Sequence, residues 1–247
     1  MTDARGWRAK IAVVAPSTNT IVQPNFDDLR PVGVTNHFGR IAIPNLPLRN
    51  DDDFKALMDV IGAELYTAVD RCLTCAPDYL MMGMSSHMFW DGVDASEARR
   101  KALEDHAGVP VSAGSFASVA ALALYNVKRI AIISPYQPIA DIEVTRFFSE
   151  SGYDVVEFRG LRCPSPVEIA HVQEDELIRL LRDIDSDQVD AIVQVGTNLS
   201  MARLAGEAER WLAKPVIAIN TATYWHGLRA LGITDQITGF GSLLAEH

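Results

Sequence analysis

Six short stretches of the chain carry hydroxyl, amide and glycine residues where charge could have stood. They are Pro16-Ser17-Thr18-Asn19-Thr20, Gly83-Met84-Ser85-Ser86-His87, Ala113-Gly114-Ser115, Ser134-Pro135-Tyr136-Gln137-Pro138, Gly196-Thr197-Asn198-Leu199-Ser200 and Asn220-Thr221-Ala222-Thr223. Hydroxyls, amides and free backbone N–H groups at helix starts are donors suited to holding a carboxylate. Ser, Thr and Asn are also the preferred helix N-caps, so one such stretch alone amounts to a cap. Several of them converging on one cleft would make a site. His87 follows two serines in the second stretch, and its unperturbed pKa of about 6.5 suits a general acid/base. Packing under Phe89 and Trp90 is the structural alternative for it. His226 is a second histidine that could reach the cleft, and Tyr136 could donate its hydroxyl to a substrate oxygen. Ser85 or Ser86 with His87 as base would make a hydrolase, although adjacent residues seldom bring both side chains into mutual contact.

Composition narrows the chemistry. The 247 residues carry a formal net charge of -10, which disfavours a nucleic-acid partner. Cys72, Cys75 and Cys163 are too few and too scattered for a disulfide framework, and Cys72-x-x-Cys75 lies in a helical pattern without a second pair to complete a zinc site. A reducing cytoplasm is the expected location. No secretory leader and no membrane span are expected, since no apolar run approaches about 18 residues. The sequence has no dinucleotide fingerprint, no phosphate-binding P-loop, no metal-ligand cluster and no nucleophile elbow. Neither a cofactor nor a metal is expected. A small-molecule carboxylate is the expected partner, with a homodimer as the expected assembly.

The elements that must position these stretches are short apolar runs alternating with amphipathic segments. Strands are predicted at 10–15, 79–83, 109–113, 129–134, 191–196 and 215–220. Their continuous apolar character suits parallel strands buried on both faces. Helices are predicted at 52–75, 95–106, 116–125, 139–151, 174–185, 200–212 and 223–231. Such alternation argues for an α/β fold. KIAVVAPSTN at 10–19 resembles RIAIISPYQP at 129–138, and PDYLMMGMSS at 77–86 resembles VDAIVQVGTN at 189–198. This weak internal repeat predicts two pseudo-symmetric lobes, each a short parallel sheet flanked by helices. Ligands bind beyond the carboxyl ends of parallel strands, which places the active site in the cleft between the lobes. The expected boundaries are 1–115 plus 222–247 for one lobe and 116–221 for the other, with the last helices exchanged. A single larger doubly wound sheet is the alternative.

Taken together, the residues after the first, second, fourth and fifth strands, with Thr223-Tyr224-Trp225-His226-Gly227-Leu228, resemble the aspartate/glutamate racemase superfamily. Within it the chain is similar to the branch of maleate cis-trans isomerase and arylmalonate decarboxylase. The resemblance covers essentially the whole chain. It implies twin α/β lobes, cofactor-independent chemistry on carboxylic acids, and a site built from two cysteines or, in the decarboxylase, one. Gly83 and Gly196 stand where the resemblance expects those cysteines. Ser17, Asn19, Ser85, Tyr136, Thr197 and Asn198 match the carboxylate-holding positions.

Two classes of function follow. In the first, the chain is a cofactor-independent isomerase, decarboxylase or lyase acting on a small carboxylic acid, with a dicarboxylic acid the expected one. His87, Tyr136 and Ser86 would then move the proton, and Ser17, Asn19, Ser85, Gly83, Gly196, Thr197, Asn198 and His226 would line the site. In the second, it is a non-catalytic carboxylate sensor.

Overall fold

The run AKIAVVAP has no polar face to offer solvent and forms β1 (Ala9–Pro16), a buried central strand. It leads into α1 (Val22–Asp28), β2 (Val34–Ile41) and the long α2 (Asp51–Leu73). The first half closes with β3 (Tyr79–Met82), α3 (Gly92–Ala107), β4 (Val111–Ser112) and α4 (Gly114–Ala123). The second half runs β5 (Arg129–Ser134), α5 (Pro138–Glu150), β6 (Asp154–Gly160), α6 (Glu174–Ile184) and β7 (Ala191–Gln194). It ends with α7 (Ala202–Leu212), β8 (Val216–Ala218), α8 (Ile219–Ala230) and the short α9 (Ser242–Glu246). These elements come from a computed structural model that describes residues 3–247.

The strands make two four-stranded sheets, ordered β2-β1-β3-β4 and β6-β5-β7-β8, and every pairing is parallel. One order maps onto the other, so the twin-lobed α/β architecture read from the repeat is the observed one. β2 and β6 fall outside the predicted strands. Both are edge strands, and their sequences VTNHFGRI and DVVEFRG mix polar with apolar residues, so neither shows the continuous apolar run of a strand buried on both faces.

Local signals set the helices that matter for the cleft. Asn50 caps α2 by accepting the Asp53 N–H at 2.9 Å, and Asp51, Asp52 and Asp53 fill the first turn, where the helix dipole favours negative charge. Phe54, Leu57, Ile61 and Leu65 then fall on one buried face at helical spacing. α8 begins at Ile219, four residues before the predicted start at 223. Asn220 and Thr221 are therefore buried in its first turn instead of lying in an open loop. α8 packs against α4, β3 and β4, so a helix that follows the second sheet covers the first. α4 reaches the other way, touching β8 and accepting the Tyr153 hydroxyl at the Val119 carbonyl. A continuous apolar core spans both halves, and a smaller one lies between α6, α7 and the second sheet.

Candidate active site

The carboxyl ends of β1, β3, β5 and β7 converge on a cleft with about 480 Å³ of empty space, part of it open to solvent. Of the residues singled out from sequence, Asn19, Ser85, Ser86, Tyr136, Gly196, Thr197 and Asn198 line it. Ser17, Gly83, His87 and His226 do not.

Each absence has a physical cause. Ser17 is exposed, and its hydroxyl both donates to the Ile43 carbonyl and accepts the Ile43 N–H, at 3.1 Å each. It ties one loop to the next instead of facing the cleft. A Cβ on Gly83 would stand 3.0 Å from the Ala15 Cβ and 3.2 Å from a Val13 methyl, so that position faces β1. His87 lies in the 3₁₀ turn Ser86–Met88, with its Nε2 3.6 Å from the place a Cβ on Gly62 of α2 would occupy. Its Nδ1 is buried with no partner among the described residues. Burial first, then Arg99, holds the ring below the ordinary histidine pKa. His226 sits on α8, and its Nδ1 is 3.1 Å from the Ser112 hydroxyl. Burial again lowers its pKa.

A clasp joins the lobes at the floor of the cleft. Asn19 Nδ2 donates to Thr197 Oγ1 at 3.0 Å, and the Thr197 hydroxyl donates in turn to the Gly83 carbonyl at 3.0 Å. Asn19 Oδ1 accepts the N–H groups of Ile21 and Val22 and so caps α1. Asn198 Oδ1 accepts the Thr20 N–H at 2.9 Å, while its Nδ2 donates to the Pro166 carbonyl at 2.9 Å. The side chains of Asn19, Thr197 and Asn198 are thus largely spent on holding the lobes together. What they leave to a ligand is backbone. Among the described residues, the N–H groups of Ser85, Thr197 and Asn198 have no protein acceptor.

Tyr136 is the one titratable side chain on the lining. Its hydroxyl is 2.7 Å from Ser85 Oγ, and its ring packs edge-on to Phe54 with centroids 5.6 Å apart. Burial drives its pKa well above the usual tyrosine value, so the hydroxyl stays protonated at neutral pH. Gly196 adopts φ +96, and a Cβ there would stand 2.5 Å from Pro135 Cγ. The left-handed backbone and the crowding each require glycine. Ile43, Leu48, Phe54, Leu57, Ile61, Met84 and Ile169 supply an apolar wall.

Sequence reasoning missed the two straps over this wall. Residues 42–50 and 161–173 follow the two edge strands and meet where the Leu48 N–H donates to the Pro164 carbonyl at 2.7 Å. Gln137 Nε2 secures both by donating to the carbonyls of Leu48 and Cys163. Arg40 and the Arg162–Asp141 pair were also missed, since lone charges in edge segments carry no motif. None of the three cysteines lines the cleft. Burial raises the Cys72 and Cys163 thiols to about 11. Among the described residues there is no cluster of three or more metal-ligating side chains, and no helix is long and apolar enough to cross a membrane.

Two parallel sheets of matching order around a donor-lined cleft define a twin-lobed α/β protein with a candidate small-molecule site between its lobes. The chain belongs to the arylmalonate decarboxylase family, whose model matches residues 51–244. It is 26% identical over 249 residues to a maleate isomerase of Pseudomonas putida, covering 96% of this chain and 97% of that one. A maleate isomerase of Geobacillus stearothermophilus is 23% identical over 252 residues, with 96% and 97% covered. Among solved structures, Nocardia farcinica maleate cis-trans isomerase with a covalently bound succinylcysteine intermediate superposes with TM-score 0.86 at 20% identity, covering 96% and 98% of the two chains. Arylmalonate decarboxylase superposes with TM-score 0.76 at 18% identity, covering 96% and 100%. At these identities the solved structures establish the fold.

Proposed function

We propose that this protein is a cofactor-independent enzyme that decarboxylates a small dicarboxylic acid, with Tyr136 as proton donor to the carbon left behind. The observation that carries the reading is the cleft's division into a donor-lined floor and an apolar wall with no charged side chain on it. Family membership and the maleate isomerase relatives support a small dicarboxylate as substrate.

The chemistry follows from that division. One carboxylate rests on the free N–H groups of Ser85, Thr197 and Asn198 and the Ser86 hydroxyl. The other lies against Leu48, Phe54, Leu57 and Ile61, where its charge is poorly solvated and loss as neutral CO2 relieves the penalty. The electron pair released passes into the retained carboxylate, and the amide dipoles stabilise the enediolate that results. Such a carbanion equivalent is a far stronger base than a tyrosinate, so even an acid as weak as buried Tyr136 protonates it. Ser85, at 2.7 Å, relays a proton back to the phenolate from solvent. No thiol takes part, consistent with the place of the three cysteines away from the lining.

The test is incubation with 2-substituted malonates in D2O, followed by NMR. Loss of CO2 with deuterium at the α-carbon is expected. A second reading, a carboxylate sensor, is favoured by one observation: no group on the lining titrates near neutrality. Saturable binding with neither CO2 release nor deuterium incorporation would replace the enzyme with the sensor.

A further inference from the structure

The donors on the cleft floor are neutral dipoles, and the chain as a whole carries a net charge of -10. A dianion entering such a site needs a compensating cation. Two guanidiniums donate to residues of the lining. Arg40 Nη1 reaches the Asn19 carbonyl at 3.0 Å, and Arg162 Nη1 reaches the Tyr136 carbonyl at 2.7 Å. They occupy matching places, each behind the loop that follows the leading strand of its sheet. Their charges are not matched. Arg162 is neutralised by an ion pair with Asp141. Arg40 makes its other hydrogen bond, at 2.6 Å, to Gln23 Oε1, a neutral acceptor, and its guanidinium carbon lies 5.3 Å from the Phe38 ring centroid. It is half-buried, and among the described residues no carboxylate offsets that burial. An unpaired cation held out of water is costly unless something else gains from its field.

We infer that Arg40 is the charge that makes the cleft select dianions, acting through the 17–20 loop as a positioning residue of the first lobe. The inference rests on the dicarboxylate reading above. Partial burial weakens solvent screening, so the field of Arg40 reaches the cleft more strongly than that of a surface arginine. The second lobe adds no such field, because Asp141 cancels Arg162.

The experiment measures binding of malonate, maleate and the monoanion isobutyrate by calorimetry, at low salt and at about 0.5 M salt. Two variants remove the charge in different ways. Arg40→Gln deletes it. Gln23→Glu keeps the guanidinium in place and gives it a carboxylate, copying the Arg162–Asp141 pair. Both are expected to weaken dianion binding about tenfold at low salt, with about threefold or less for isobutyrate, and the gap narrows at high salt. Arg40→Lys retains most of the dianion preference. Arg179→Gln removes the same charge from an exposed pair with Asp175 on α6 and leaves all affinities unchanged. If Arg40→Gln fails to fold, Gln23→Glu decides alone. Wild-type dianion affinity in folded Gln23→Glu would overturn the role of Arg40 while leaving the dicarboxylate reading intact. A wild-type protein that binds no dicarboxylate would overturn both.

Discussion

The two lobes share one topology, yet the residue after the first strand's proline meets a different fate in each. In the first lobe, Pro16 is followed by Ser17, which is exposed and tied to Ile43. In the second, Pro135 is followed by Tyr136, buried in the cleft and bonded to Ser85. The glycines after the inner strands differ in the same spirit. Gly83 keeps an ordinary backbone and is crowded by β1, whereas Gly196 needs a left-handed backbone and also abuts Pro135. A duplicated backbone path therefore does not duplicate a chemical environment. The first lobe supplies most of the apolar wall and the unpaired cation, and the second supplies the buried phenol.

The comparison can be tested from its strongest element downward. Tyr136→Phe should cut turnover by about a hundredfold or more while the fold survives, whereas Ser17→Ala should cost under about 1 kcal/mol of stability. Steady-state rates and denaturant titration check the pair, and comparable losses of turnover in the two variants would erase the contrast. Gly196→Ala combines positive-φ strain with overpacking and should destabilise by about 3 kcal/mol, while Gly83→Ala should cost about 1 kcal/mol. Urea unfolding of both variants distinguishes backbone demand from simple crowding. Thr197→Val strips a donor from the Gly83 carbonyl and an acceptor from Asn19, and should cost about 2 kcal/mol in the same assay.

The smallest effect is on acid stability. His87 and His226, both packed in the first lobe, have lowered pKa values. The unfolded chain takes up protons near pH 6.5 that the folded rings resist. Stability is therefore full above about pH 6.5 and falls as the pH drops below it, levelling once the folded-state values are passed. Thermal melts across pH 7 to 5 should show this loss, and His87→Gln should reduce it.

Much of this was legible in the sequence. The buried inner strands announced themselves by continuous apolar runs, and the repeat gave the twin-lobed plan because both halves reuse the same strand order. Seven of the flagged residues do meet in one cleft, since strand ends converge in this topology. What could not be read was direction. Ser17, His87 and His226 carry suitable chemistry, but the turns holding the first two and the face of α8 holding the third aim them at Ile43, α2 and Ser112. The edge strands β2 and β6 escaped notice because half-covered strands mix charge with apolar residues. The straps and Arg40 follow those edges and were missed with them.

The crossing-over of α8 has a consequence for how the molecule is made. The first sheet has all four of its strands by residue 112, but the helix that covers one of its faces lies at 219–230. During synthesis that apolar face has no native cover until residues 219–230 have left the ribosome, so the nascent chain must pass through a stage in which its first sheet is translated but unfinished.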